Sequence, residues 1–291
     1  MTANNFNLVS GGGITLTNLF RGWPHDRLAN VHEDAVPEDH SVCRTFYRLT
    51  EEEIRWNWPF SLLQGWYGRK KQQAISTGGS APGPAGQGWL SAVKRLLGDG
   101  APKQARLTPA LLDWVEKFHP TLLYGFLGSL EQITLIRSLA ARFNIPMVVH
   151  MMDDWPAVLH RRGLLSPIMG PLIRSELACA LKEARGRLAI CDDMCTEYRD
   201  RYGYEFTAFQ NALDPAGWLP HARHQWQAGV PFVVRYVGSI LADGQQESLK
   251  DIALAVTGLR RAGRPIQLWI HAPGPDADYL RRLGMPADAV V

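Results

Sequence analysis

Residues 145–156 read IPMVVHMMDDWP, and the rest of the chain is organised around them. The first half of this stretch is a short apolar run with β-branched valines, bordered by proline, and this pattern predicts a buried strand of a parallel sheet. The run then gives way to a histidine, two carboxylates and an indole. In open α/β sheets, ligands bind outside the carboxyl ends of the strands. His150, Asp153 and Asp154 are therefore candidate site residues.

The residues before this stretch predict a β-α-β unit. Residues 121–124 form a short strand pattern, and Ser129 followed by Gln132 is a capping-box pattern that opens a helix leading into the central strand. Two strands joined in this way are expected to be parallel, with a right-handed crossover. An earlier helix is predicted after Thr108, which would cap it, with Pro109 at its first position.

The residues after the central strand continue the same alternation. They predict, in order, a helix over residues 157–185 with a break at 163–167, a strand over 186–191, a helix ending at Gly203 and a strand over 205–209. A second α/β pattern follows, with strands over 232–237 and 266–271, a helix over 248–261 between them, a further helix over 276–283 and a strand from 289. This pattern stops short of the roughly five or six strands of a doubly wound domain. We therefore expect a fragment, or a sheet that another chain completes.

A glycine run near the start, Gly11-Gly12-Gly13, is the candidate anion site. Glycines let the backbone approach a ligand closely, and the helix expected after them offers free N–H groups. The alternative is a flexible loop without a ligand. The run is not G-x-G-x-x-G after a full strand, so a nicotinamide-dependent oxidoreductase is disfavoured.

Composition and charge are ordinary for a soluble globular protein. The 291 residues suffice for two domains, with 46% hydrophobic and 20% charged residues and a net charge of +3. That charge is too small to indicate nucleic-acid binding. It is compatible with anionic small ligands or with an anionic membrane surface.

The cysteines and the termini predict a cytoplasmic protein. Four cysteines without a C-x-x-C pair favour reduced thiols over a metal site, and Asp153-Asp154 without a third ligand is poor evidence for a metal. The polar start of the chain is not a signal peptide, and an apolar run long enough to span a membrane is lacking.

One aromatic and basic segment predicts either of two roles. Residues 54–71 contain Trp56, Trp58 and Trp66, followed by the basic cluster at residues 69–71. This combination is typical of an interfacial membrane anchor, and it fits equally well an aromatic flap that packs on the domain. A Gly/Pro-rich loop over residues 75–88 and a short helix over 89–97 are expected next.

Four motifs together resemble the family-4-like glycosyltransferases of the GT-B fold, in which two Rossmann-like domains face each other across a cleft. They are the glycine run, the strand that ends in Met152-Asp153-Asp154-Trp155, the strand Leu188-Ala189-Ile190-Cys191 that leads through Met194 and Tyr198 to Asn211-Ala212-Leu213-Asp214, and Tyr236-Val237-Gly238-Ser239. The resemblance covers nearly the whole chain. It implies an N-terminal, acceptor-side domain over residues 1–217, a linker over 218–230 and the truncated start of a donor-side domain over 231–291.

The resemblance implies retaining transfer of a sugar from a nucleotide-sugar donor to a glycan or lipid-linked acceptor, without a metal or another cofactor. The implied catalytic residues are Asp153, at the sugar end of the cleft, and His150. The implied donor- or acceptor-binding residues are Gly12, Gly13, Thr15, Asp154, Gly238 and Ser239. The fragment is expected to be inactive alone, and the protein to be cytoplasmic with a peripheral contact at the inner face of an anionic membrane.

Three positions depart from the family pattern. Met152 stands where many relatives have histidine, and Ser239 and Gln245 stand where many have the cations that hold the donor phosphates. Residues two apart on a strand share a face, so one interpretation is that His150 takes the place of the missing histidine. The other interpretation is that His150 is a buried histidine with a structural role. The departures leave a second hypothesis open, a non-catalytic binding or scaffold protein of GT-B shape.

Overall fold

The computed structural model describes residues 1–2, 4–56, 103–159, 163–211, 213, 215–224, 229–240 and 245–272. The chain divides into two compact units, Met1–Pro215 and Ala216–Val291. The assignment of these units to an acceptor side and a donor side stays a prediction. Several predicted features lie outside the described residues: Trp58, Trp66, the basic cluster at 69–71, the loop over 75–88, the helix over 89–97, and the last helix and strand.

Both units combine strands and helices. The elements of the first unit are, in order, α1 (Gly11–Phe20), β1 (Ala29–His32), β2 (Thr45–Arg48), β3 (Ile54–Trp56), β4 (Lys103–Ala105), α2 (Pro109–Phe118), β5 (Leu123–Phe126), α3 (Leu130–Phe143), β6 (Met147–Met151), α4 (Trp155–Val158), α5 (Ser166–Glu183), β7 (Gly186–Ala189), α6 (Asp192–Tyr202) and β8 (Thr207–Ala208). Those of the second unit are β9 (Phe232–Val237), α7 (Gln245–Arg261) and β10 (Ile266–His271).

Parallel strands form the main sheet of the first unit. Its order is β5-β6-β7-β8, and the central strand β6 pairs through His150 with Phe126 on one side and Leu188 on the other. β1 and β2 form a second parallel pair. The predicted α/β class with parallel strands is therefore confirmed.

The first two residues connect these two sheets. The Thr2 N–H donates to the Val31 carbonyl of β1 (3.1 Å), and Phe126 of β5 donates to the Met1 carbonyl (3.0 Å). Thr2 also forms a parallel bridge with Phe126. After Thr2 the chain forms α1 and then adds β1 and β2 on one side of Thr2. The later strands β5 to β8 are added on the other side. The strand order thus reverses beside Thr2, and α/β sheets bind ligands at such a point.

Helices cover both faces of the sheet. Tyr124 and Phe126 of β5 pack with Leu16 and Phe20 of α1 on one face. The alternate residues of β6, which include Met147 and Val149, lie in the core formed with α3 and α5 on the opposite face. Neighbouring strand residues point to opposite faces, so His150 lies on the α1 face of the sheet.

Two predicted helix starts are confirmed in detail. The Thr108 hydroxyl accepts from the Leu111 N–H (3.2 Å) before α2, and the Ser129 hydroxyl accepts from the Gln132 N–H (3.4 Å) before α3. The return bond of the second cap differs from the usual capping box, because the Gln132 side chain accepts from Gly128 (2.8 Å). β5 begins two residues later than the predicted strand over 121–124.

A small antiparallel pair follows β2. Trp56 ends β3, which pairs with β4 in register Trp56 with Lys103. Trp56 is half-buried, and it is the one residue of the predicted tryptophan anchor that the described ranges include. The buried Glu53 beside this pair accepts from the Thr108 hydroxyl (2.7 Å) and from the Tyr47 hydroxyl (2.9 Å), which fixes the start of α2.

The second unit repeats the β-α-β pattern. β9 and β10 are parallel, with Val234 paired to Leu268, and both have the bounds that the sequence predicts. α7 packs Ala253 and Val256 on Leu268. It begins three residues before the predicted start because its first turn carries polar residues that the apolar periodicity does not mark. None of the helices in the ranges described for the chain has the length and apolar character needed to cross a membrane.

Candidate functional site

The glycine run lies within α1 instead of preceding it. Ser10 caps the helix, its hydroxyl accepting from the Gly13 N–H at 3.2 Å, so Gly11, Gly12 and Gly13 form the first turn. The prediction of a separate glycine loop before the helix is wrong in this respect. The expected position of an anion site, at a helix start, is unchanged by the difference.

Two of the three glycines are required by neighbouring asparagines. A Cβ on Gly12 would lie 2.1 Å from Asn4 Oδ1, and a Cβ on Gly13 would lie 2.1 Å from Asn7 Nδ2. A Cβ on Gly11 would meet nothing within 4 Å, and Gly11 is exposed. Of the three glycines, only Gly11 therefore has room for a side chain, while Gly12 and Gly13 are needed for internal packing. The predicted ligand-binding role of Gly12 and Gly13 stays a prediction.

Asn7 organises the turn before α1. Its buried side-chain oxygen accepts from the backbone N–H groups of Val9 (2.9 Å) and Ser10 (2.7 Å), and its amide donates to Asn5 Oδ1 (2.7 Å). The same amide lies 3.5 Å from Asp34 Oδ2 after β1. Sequence reasoning missed this group, although the asparagines crowded before the glycine run were a visible turn signal.

His150 is fully buried and both of its ring nitrogens have protein partners. The Tyr124 hydroxyl contacts Nδ1, and Nε2 lies 3.0 Å from the Phe209 carbonyl oxygen. Burial lowers the pKa of His150 to about 4, partly offset by the bond to Phe209. Burial likewise raises the pKa of the Tyr124 phenol. The imidazole is therefore neutral near pH 7. The predicted catalytic role of His150 stays a prediction.

The two neighbouring carboxylates have different surroundings. Asp154 Oδ1 accepts from the Tyr198 hydroxyl (2.8 Å) and from Arg201 (2.8 Å), and Oδ2 accepts from the second guanidinium nitrogen (3.1 Å). The bond to Asp154 raises the pKa of Arg201. Asp153 is exposed, and its carboxylate accepts from the Trp155 N–H (3.3 Å). Of this pair, Asp153 is the more exposed residue, and Asp154 is held by Tyr198 and Arg201. The predicted roles of both carboxylates stay predictions.

Thr15 of α1 contacts the loop that follows β8. Its hydroxyl accepts from the Asn211 side-chain amide at 3.2 Å, across 196 positions of sequence. Asn211 begins the Asn-Ala-Leu-Asp motif quoted above, and α1 carries the glycine run. The helix that carries the glycine run therefore contacts the first residue of this motif directly.

A polar network closes the ends of β1 and β5. Gln132 accepts from the Gly128 N–H and donates to Glu33 Oε1 (3.3 Å), which follows β1. Lys103 lies 3.1 Å from Glu131 and 3.9 Å from Glu33. These bonds fix the loop after β5 at the point where the strand order reverses.

The predicted residues of the second unit lie directly after β9. Gly238 has a φ of +149°, a conformation that favours glycine, and an added Cβ would lie 3.2 Å from the Tyr236 hydroxyl oxygen. That hydroxyl donates to the Ser239 carbonyl (2.6 Å). The turn places Gly238 and Ser239 at the carboxyl end of β9, within their own unit.

A metal centre is not evident in the residues that the structure covers. No group of three or more His, Cys, Asp or Glu side chains that could hold a metal ion occurs among them. The prediction that the reaction needs no metal stays a prediction.

No protein-family model matches the chain. No curated protein sequence matches it significantly either. The resemblance to family-4-like glycosyltransferases rests on the four sequence motifs and stays a prediction.

Proposed function

We propose that this protein is a glycosyltransferase of the GT-B type, which moves a sugar from a nucleotide-sugar donor to a glycan or lipid-linked acceptor. The observation that carries the proposal is the reversal of strand order beside Thr2. The exposed Gly11 end of α1 follows the bridge at Thr2, and the exposed Asp153 follows β6. A second parallel β-α-β unit in the same chain supports the two-domain GT-B arrangement.

The chemistry of sugar transfer suits this edge. A departing nucleoside diphosphate gains negative charge, which the N–H groups in the first turn of a helix stabilise. An exposed carboxylate such as Asp153 can orient a sugar hydroxyl or stabilise positive charge that develops at the anomeric carbon. In the proposed reaction the carbon–oxygen bond to the diphosphate breaks, a bond to the acceptor oxygen forms, and the acceptor proton passes to the departing diphosphate.

Partners and location follow from the same proposal. The donor is a nucleotide sugar, the acceptor a glycan or lipid-linked molecule, and the reaction is retaining and independent of metal. Cytoplasmic location with a peripheral contact to an anionic membrane belongs to the proposal as well. These assignments are supported by the resemblance and by the modest positive charge of the chain.

A non-catalytic nucleotide- or sugar-binding protein is the second candidate. The observation that favours it is the engagement of His150 and Asp154 by protein groups, which leaves Asp153 as the one exposed group of the three. The substitutions at Ser239 and Gln245 point the same way.

Nucleotide-sugar binding tests the proposal. We expect uridine, guanosine or adenosine diphosphate sugars to raise the melting temperature of the chain and to give a heat of binding in calorimetry. Asp153→Asn should weaken the binding of the preferred sugar nucleotide about tenfold, the effect of one charge-assisted hydrogen bond. It should leave the binding of the free nucleoside diphosphate nearly unchanged, because the carboxylate contacts the sugar.

Asp113→Asn is the matched control, since Asp113 is an exposed carboxylate on α2. It should change neither affinity. If none of the nucleotides binds at millimolar concentration, the proposal is wrong. The transfer assay needs a protein whose second sheet is complete, because the chain is expected to be inactive alone. If that protein binds a nucleotide sugar but neither transfers the sugar to glycan and lipid-linked acceptors nor hydrolyses it, the second candidate is correct.

A further inference from the structure

His150 joins three separate parts of the first unit. It lies on β6, its Nδ1 contacts the Tyr124 hydroxyl of β5, and its Nε2 lies 3.0 Å from the carbonyl oxygen of Phe209 after β8. The Phe209 carbonyl is an acceptor, so Nε2 carries the proton and donates. The Tyr124 phenol keeps its proton at neutral pH and donates to Nδ1. These two bonds define a single neutral tautomer.

Three aromatic rings hold the imidazole in place. The ring centroids of Tyr124, Phe126 and Phe209 lie 5.9, 6.2 and 5.7 Å from that of His150, all in edge or tilted arrangements. The side chain is 0% exposed. A general base needs a lone pair that the substrate can reach. His150 offers neither an accessible nitrogen nor an unused one.

The bond to Phe209 fixes a segment that touches α1. The Phe209 N–H donates to the Ala189 carbonyl (2.8 Å), and His150 holds the carbonyl of the same residue. Two residues later, the Asn211 amide donates to the Thr15 hydroxyl on α1 (3.2 Å). Thr15 lies one helical turn after Gly11. The position of residues 209–211 beside the start of α1 therefore depends on what holds Phe209.

We propose that His150 is a positioning residue of the candidate site: its Nε2–H bond to Phe209 sets the 209–211 segment so that Asn211 meets Thr15 beside the glycine turn. The proposal deepens the proposed function, on which its ligand-binding readout rests. Its structural readout needs no ligand.

Two substitutions of His150 separate the Nε2 bond from the packing of the ring. In His150→Gln the amide nitrogen reaches about as far as Nε2, so it can still donate to Phe209. In His150→Asn the amide reaches only the position of Nδ1, so that bond is lost. Both substitutions remove the aromatic ring, and the difference between them therefore reports the bond to Phe209.

The first readout is the nuclear Overhauser contact between the Asn211 amide protons and Thr15 in the ligand-free chain. It should persist in the wild type and in His150→Gln, and it should be lost in His150→Asn. Tyr124→Phe should keep it, because the Phe209 carbonyl alone still favours the Nε2–H tautomer. An unchanged contact in a folded His150→Asn variant would overturn the proposal.

The second readout is the affinity for the nucleotide sugar that binds the wild type best. We expect His150→Asn to weaken it about tenfold and His150→Gln to change it by less than about threefold. Equal affinities in the two variants would refute the positioning role. If no nucleotide sugar binds the wild type, the proposed function fails, and the Asn211–Thr15 contact alone decides the role of His150.

Nitrogen-15 chemical shifts of His150 in the wild type provide a measurement that does not depend on any variant folding. The proposal requires a protonated Nε2 and an unprotonated, hydrogen-bonded Nδ1 at neutral pH. A protonated Nδ1 with a free Nε2 would contradict it.

Discussion

At the scale of single residues, burial determines which predicted groups meet solvent. His150, Asp153 and Asp154 stand within five positions of one another, yet the first is enclosed by rings, the third is bound by Arg201 and Tyr198, and only Asp153 is exposed. A group whose polar atoms all have protein partners positions its neighbours more readily than it binds a ligand. The different roles expected for these three residues therefore follow from their burial and their hydrogen-bond partners.

The pH dependence of stability tests the buried state of His150. Its pKa is about 4 in the folded chain and about 6.5 when unfolded. The unfolded state therefore binds more protons between these values, and stability falls as the pH drops from 6.5 to 4. From pH 7 to pH 4.5 the loss from this residue is about 2 kcal/mol.

Urea unfolding of the wild type and of His150→Gln at both pH values measures this contribution. The variant has no titrating group at position 150, so its free energy of unfolding should fall by about 2 kcal/mol less than that of the wild type. His32, whose pKa burial also lowers, is present in both proteins and cancels in the comparison. Identical pH profiles for the two proteins would show that the imidazole is not held in its neutral form.

At the scale of elements, the first turn of α1 combines a packing role with the candidate anion site. Gly12 and Gly13 face Asn4 and Asn7, whereas Gly11 faces open space. Asn7 is buried and multiply bonded, so a side chain on Gly13 would displace a whole network. Asn4 is half-buried and has more freedom to move.

Alanine substitutions along this turn should have graded effects on stability. Gly13→Ala should lower the free energy of unfolding by about 2–3 kcal/mol, because it breaks the buried bonds of Asn7. Gly12→Ala should cost about 1 kcal/mol, and Gly11→Ala should be neutral or stabilising by about 0.5 kcal/mol, since alanine favours the helix. Denaturant unfolding measures all three. A Gly11→Ala variant as unstable as Gly13→Ala would contradict the described turn.

The elements themselves were largely predictable from sequence, and their long-range contacts were not. Thr108 and Ser129 signal their helices through local bonds to residues three positions later. The bond from His150 to Phe209 spans 59 positions, and that from Asn211 to Thr15 spans 196. Neither of these two bonds is signalled by a local sequence pattern. The first strand position, taken by Thr2, was also hidden, because its two backbone partners come from β1 and β5.

At the scale of the whole molecule, two α/β units of unequal size follow one another in the chain. In the first unit, the N-terminal residues lie between β1 and β5, and further strands are added beyond β1 on one side and beyond β5 on the other. Loops that follow parallel strands at such a reversal diverge and leave room for a ligand. We expect the nucleotide sugar of the proposed function to contact this edge.

Hydrogen exchange measured by mass spectrometry, with and without the bound nucleotide sugar, tests that expectation most directly. We expect slower exchange in peptides that contain the start of α1, Asp153 and Asn211, which follow the Thr2 bridge, β6 and β8 in that order. The opposite edge of the sheet, which includes residues 121–122 and 184–185, should exchange at the same rate in both states. Slower exchange confined to that opposite edge, or no change anywhere in the first unit, would contradict the account.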